Sequence, residues 1–169
     1  MLNDSLAEEL VNYFDRYGDA NERMRSRYIL GRTYYCLDEL PRALEIYMEA
    51  ADCADTASKD CEYKVLSRIH AQSAMVYNRQ ILPHNQMSEL KLAEYYAWKG
   101  KDTIIAIECF AQQANVYRFL NNLDSVISIK KEAAQLFVEN NQDRMAAQTL
   151  GTVITPLIEK NEINLEIFC

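Results

Sequence analysis

The chain has 169 residues, 49% of them apolar and 25% charged, and this composition suits an ordinary packed core. Four glycines and three prolines leave little material for hairpins or glycine-rich loops, so an all-α chain is expected. A net charge of −7 argues against a general nucleic-acid binder, which needs a basic surface to displace counterions.

Segments with helical periodicity alternate with short polar breaks. The first is predicted from about Asp4 to Tyr17. Ser5, with Glu8 three residues on, reads as a capping box, and Gly18 as a stop at which a left-handed backbone costs little. The second runs from about Asn21 to Leu37 and the third from Pro41 to about Asp55, with Pro41 suited to a first helical turn. A fourth covers about Asp60 to Gln80, and a fifth Pro83 to Lys99, before Gly100. Asp102 is expected to cap a sixth helix ending near Leu120, and Asp124-Ser125 to open a seventh ending near Asn140. An eighth spans about Asp143 to Lys160, where Pro156 should kink or shorten it. Asn161 to Cys169 read as the first turns of a ninth helix whose partner is missing. Neither end shows a clear capping repeat, so the expectation is a fragment of a longer array.

One spacing recurs three times. Tyr34 to Ala50, Tyr77 to Ala93 and Tyr117 to Ala133 are each sixteen residues apart. An aromatic in one helix at a fixed distance from a small residue in the next is the mark of stacked helix pairs. The tyrosines themselves are separated by 43 and 40 residues, so the extra length must lie between pairs, and 54–63 is the obvious place.

Leu30-Gly31 with Tyr34, followed by Ala43, Tyr47 and Ala50, resembles a tetratricopeptide repeat. A second copy keeps Ala74, Tyr77 and Ala93, with Gln86 and Leu90 at the other two places. A third keeps Ala114, Tyr117 and Ala133, with Val126 and Lys130 there. The resemblance implies one domain over 1–169, a right-handed α-solenoid of antiparallel helix pairs with about eight or nine helices. Its repeats would cover about 22–56, 62–99 and 103–139, with a partial copy over 143–169 and a leading helix at 4–17. The stretch from Asn3 to Tyr35 and the run Leu40-Pro41-Arg42-Ala43-Leu44 are similar to a bacterial subgroup of long arrays. Members of that subgroup often carry a lipoprotein signal ahead of the repeats or a regulatory region behind them.

Catalytic chemistry finds few candidates. His70 and His84 are the only histidines, and neither has a partner at metal-ligand spacing. His70 reads as a partly buried helix residue and His84 as a solvated one. No phosphate-cradling glycine loop or nucleophile turn occurs, and no cofactor is expected. Glu8-Glu9 and Lys130-Lys131-Glu132 read as solvated helix faces. The five cysteines form no Cys-x-x-Cys pair, a usage that leans towards a reducing compartment, against a periplasmic or lipid-anchored one if the subgroup resemblance holds. Cys36 and Cys109 are expected in the core, while Cys53 and Cys61 flank a loop. No apolar run is long enough to cross a membrane.

In tetratricopeptide arrays the first helix of each pair lines a concave surface. Carried onto this chain, the inward positions are Arg25, Tyr28, Arg32 and Tyr35 in the first repeat. The second contributes Arg68, Gln72, Met75, Asn78 and Arg79, and the third Gln112, Asn115 and Arg118, with Glu108 the one acid. Such a face would suit an anionic peptide, because arginine binds carboxylates through paired hydrogen bonds and tyrosine gives flat contact area. The carboxylate clamp of chaperone-binding members is not matched, since Tyr28 and Arg32 stand where it needs Lys and Asn. The alternative is a solvated face whose arginines pair with Glu22, Glu39 or Glu45. The reading is a non-catalytic module that recruits a protein or peptide. The second reading is a sensor or relay segment of a bacterial envelope or transcriptional regulator. The third is a structural role, with end repeats stacking on other copies.

Overall fold

The structure, a computed structural model, describes residues 4–160. The ninth helix expected over 161–169 lies outside the described residues. The described residues form nine helices and no strand. They divide between Asp102 and Thr103 into two compact units. The first holds α1 (Asp4–Tyr17), α2 (Ala20–Cys36), α3 (Leu40–Asp52), α4 (Tyr63–Arg79) and α5 (Pro83–Lys99). The second holds α6 (Thr103–Phe119), α7 (Leu123–Glu139), α8 (Asp143–Gly151) and α9 (Ile154–Glu159).

A single turn joins most of these helices. After α2, α4, α5, α6 and α7 come three residues, of which the middle one has a positive φ: Asp38, Ile81, Lys101, Asn121 and Asn141, at 55–66°. The amide of the third turn residue donates back across the turn, from Glu39 to Tyr34, Leu82 to Tyr77, Asp102 to Ala97, Asn122 to Tyr117 and Gln142 to Phe137. These bonds satisfy carbonyls that the helix end would otherwise leave free. The expected left-handed stop at Gly18 is not formed, since no glycine has a positive φ. Gly18 is small because a Cβ there would lie 2.7 Å from the Phe14 carbonyl oxygen.

Caps differ from expectation in two places. Ser5 lies inside α1, and the Glu8 carboxylate instead accepts a 2.6 Å bond from the Tyr34 hydroxyl. The capping box belongs to α2: the Asp19 carboxylate accepts from the Glu22 amide, and the Glu22 carboxylate from the Asp19 amide. At α7 the cap is Asn122, whose side chain accepts from the Ser125 amide, so Asp124 falls within the first turn. The predicted eighth helix is split at 152–153, into α8 and α9. Pro156 has no amide to give and its ring would clash with the carbonyl four residues earlier, which breaks the ladder there.

The first unit packs α1 on α2, α2 on α3 and α4, α3 on α4 and α4 on α5. Its core joins Met24, Leu30, Tyr34, Tyr47, Leu66 and Ile69. Tyr47 lies flat on Gly31, where a Cβ would come within 2.6 Å of two ring carbons. At the matching positions further along stand Ala74 with Leu90 and Ala114 with Lys130, so the small residue grows as its partner loses its ring. The second unit packs α6 and α7 together, with α8 and α9 on α7, around Ile107, Ala111, Ala133 and Phe137. Lys130 corrects the solvated-face expectation. It is half-buried, and desolvation holds its ammonium below the usual lysine range. Cys36 is exposed rather than in the core, whereas Cys109 is buried as expected. Cys53 and Cys61 are free thiols, both raised above the usual range by burial.

Three outcomes follow from this packing. Gly31→Ala should cost about 1–3 kcal/mol of unfolding free energy through overpacking. Combining it with Tyr47→Leu, the pairing of the second repeat, should give a loss smaller than the sum of the single losses; additivity in urea melts would refute the contact. Ile81→Asn should stabilise the fold by about 1 kcal/mol, because a β-branched residue is strained at φ 58° and asparagine is not. Ile81 is 63% exposed, so little burial is lost, and an unchanged midpoint would count against the strain. Lys130→Met should stabilise by less than about 1 kcal/mol at pH 7, given solvent screening. The lysine's folded pKa lies below its ordinary 10.5, so the unfolded chain binds more protons and wild-type stability rises with pH between the two values. The advantage of the variant should therefore shrink as pH approaches 10.5.

Candidate functional site

The anticipated stripe sits on α2 and α4, the first helices of their pairs, which pack side by side. The buried faces of these helices fix its direction. Met24, Leu30 and Tyr34 point inward from α2, and Leu66, Ile69 and Val76 from α4. Arg25, Arg32, Arg68, Asn78 and Arg79 are left exposed, and Tyr28, Tyr35 and Gln72 half-buried.

The side chains hold one another in fixed poses. An Arg32 guanidinium N–H donates to the Tyr28 hydroxyl at 3.4 Å, and this bond raises the arginine above its ordinary pKa. The Tyr28 ring centroid is 6.3 Å from that of Tyr47. Arg79 lies over the Tyr35 ring at 5.6 Å and donates to the Asp38 carboxylate at 2.6 Å. It thereby ties the end of α4 to the turn after α2. Arg25 pairs with Glu62 at 3.4 Å. Gln72 donates weakly to the Met75 sulfur at 3.5 Å, and Met75 is exposed.

Asn115 and Arg118 belong to the second unit, on α6, and are exposed. Arg118 donates to Glu159 of α9 at 2.7 Å. Gln112 and Glu108 line a cavity of about 270 Å³ with Phe137 and Met145.

The acids that meet these arginines are not the neighbours expected from the sequence. Glu22 closes the α2 capping box, and Glu39 pairs with Arg42 at 2.8 Å. The partners are instead Glu62, Asp38 and Glu159, and the last two lie 41 residues from their arginines. That separation is about one helix pair, and it is the only signal by which the sequence could have revealed them. Arg68 differs from Arg25, Arg79 and Arg118, since no carboxylate stands against it among the described residues.

His70 serves packing. His70 Nδ1 lies 2.8 Å from a Glu89 carboxylate oxygen, and its ring stacks on Tyr96 at 5.4 Å. His84 is exposed in the first turn of α5. Among the described residues no three His, Cys, Asp or Glu side chains gather as metal ligands. None of the described helices is long and apolar enough to cross a membrane.

No protein-family model matches the chain, and no curated protein matches it by sequence. Solved structures do. BtubC (BKLC) from P. vanneervenii superposes with a TM-score of 0.74 at 14% identity, over 93% of this chain and 65% of that one. The chain thus spans just under two thirds of that protein. A Podosopora anserina protein described as a putative kinesin light chain with nearly identical TPR-like repeats superposes at a TM-score of 0.63 and 12% identity. That match covers 93% of this chain and 86% of the other. A singly substituted form of the same protein matches equally well, over 95% and 87%. The chain has the fold of the TPR-like helical repeats, as the Leu30-Gly31, Tyr34 and Ala43 pattern implied.

Proposed function

We propose that the chain is a non-catalytic interaction module, in which the α2–α4 face of the first unit receives an anionic peptide of a partner protein. The observation that carries this reading is the preorganised row formed by Arg32 on Tyr28 and Arg79 over Tyr35. Aromatic stacking and hydrogen bonds restrict these long side chains before any ligand arrives, and that lowers the ordering cost of binding. The ion pairs of Arg25 and Arg79 are solvent-exposed, contribute little to stability, and can be exchanged for a ligand carboxylate. Helical repeats with this fold act through such fixed surfaces rather than through bond chemistry.

The test is fluorescence anisotropy with labelled peptides ending in two or three carboxylates, read against the same peptides amidated and with Gln in place of Glu. Binding should weaken at least tenfold in the Arg32→Glu, Asn78→Asp variant and fall steeply with added salt. Equal affinity for the amidated peptides, or an unaffected variant, would remove the stripe as the binding surface.

A further inference from the structure

One arginine of the stripe, with neither an acid nor a hydroxyl against it among the described residues, opens onto a second feature. Arg68 lines a cavity of about 550 Å³ in the first unit, where the α3–α4 connection, the start of α4 and the end of α5 meet. Lys59, Lys64, Lys99 and Lys101 line it as well, against a single acid, Glu62. Glu62 is already engaged by Arg25 from outside the cavity at 3.4 Å. None of the five cations has a carboxylate partner among the described residues. In a chain of net charge −7, five uncompensated cations around one concavity form a local field opposite to that of the whole. Like charges gathered in this way repel, and an anion is what relieves them.

The walls are held in place. The Asn21 side chain donates to the Asp60 carbonyl at 2.8 Å and accepts from the Glu62 amide at 3.1 Å, which clamps the connection carrying Lys59. The Tyr63 hydroxyl donates to the Thr56 carbonyl at 2.8 Å and closes the same loop on itself. Lys99 Nζ lies 5.3 Å from the Tyr63 ring centre and 4.9 Å from that of Tyr95, so cation–π attraction positions the ammonium. Gly100 lets the end of α5 come close to the start of α4: a Cβ there would lie 3.0 Å from the Lys64 backbone nitrogen.

We propose that this cavity is a binding site for a phosphate group. A carboxylate brings one negative charge and two oxygens, which one arginine satisfies. A phosphate monoester brings between one and two charges and three acceptor oxygens, and so matches several convergent cations. The volume accommodates the group together with the residue or small molecule that carries it. The site does not rest on the peptide-stripe reading, because four of its five cations lie off that stripe.

The experiment is an amide-shift titration of the intact chain with three probes: inorganic pyrophosphate, a phosphoserine hexapeptide, and its unphosphorylated twin. At least one phosphate probe should move the amides of Lys64, Gly100 and Lys101 saturably, and the twin should not. A response to pyrophosphate alone identifies a free phosphate compound, and a response to the phosphopeptide identifies a modified partner. Lys64→Glu with Lys99→Glu should weaken binding at least tenfold, with Arg32→Glu as an unaffected control. Should the double variant lose its native spectrum, Lys64→Gln with Lys101→Gln, both at exposed side chains, carries the same comparison. No saturable shift, an equal response to the twin, or undiminished binding by the folded variant would overturn the proposal.

Discussion

The chain depends on a three-residue turn whose middle residue takes a left-handed backbone. Its closing bond, from the third turn residue to a carbonyl in the last helical turn, is repeated at Glu39, Leu82, Asp102, Asn122 and Gln142. Since the turn length is constant and α2, α4, α5, α6 and α7 all have seventeen residues, each such helix and its turn use twenty. The sixteen-residue interval follows directly. Tyr34, Tyr77 and Tyr117 each supply the carbonyl that closes the turn, and Ala50, Ala93 and Ala133 stand eleven places into the next helix. All three alanines are fully buried, so the turn decides which small residue meets the preceding helix. The 43-residue interval arises where the rule fails. There α3 stops at Asp52 and an irregular connection leads to Tyr63, and that departure creates the basic cavity.

Packing within each pair is a negotiation over one volume. Gly31 admits the whole Tyr47 ring, and the ring's burial contributes on the order of 2–3 kcal/mol. It also leaves the Tyr47 hydroxyl buried without a partner among the described residues, which offsets about 1–3 kcal/mol and raises its pKa by desolvation. Leu90 avoids that cost in the second repeat. Lys130 meets a different one, because its stem can line the core only while its ammonium reaches for water. Tyr34, by contrast, is satisfied at both ends. It donates to Glu8, accepts from Arg42 at 2.9 Å, and has its pKa pushed up to about 12, chiefly by the Glu8 bond.

Much of this order was legible in the residues. The bounds of α1 and α5 and the break near Pro156 follow from periodicity and proline chemistry, and the helix-pair fold follows from the aromatic-to-small spacing. The turns were not legible, because five different contexts share one backbone shape. Asp38, Asn121 and Asn141 tolerate a left-handed backbone, but Ile81 and Lys101 are poor residues for it, so residue type alone does not mark the turn. Glycine was the wrong guide to a left-handed backbone at Gly18, where crowding rather than φ selects it. Caps were misplaced because Ser5–Glu8 and Asp19–Glu22 are equally good patterns in type, and the choice between them depends on where the chain turns. The ion pairs were hidden for a related reason: a surface arginine meets its acid one repeat along, at a distance no local window covers.

Charge is where these two levels meet. On the stripe, the turn after α2 brings Asp38 to Arg79 and the end of the α3–α4 connection brings Glu62 to Arg25, so two of its cations meet counter-charges. At the cavity the supply falls short, since Glu62 is its only acid and already faces Arg25. The connection before α4 carries Lys59 inward, the turn after α5 carries Lys101, and Arg68 and Lys64 project from the first turns of α4. Arg25 and Arg79 of the stripe are thus paired, whereas the cations around the cavity have no carboxylate against them among the described residues. A fully paired arginine must give up a partner to bind a ligand, whereas an unpaired one gains by doing so. The difference in driving force favours the cavity beside the α3–α4 connection over the paired arginines of the stripe as the place where a highly charged group would settle.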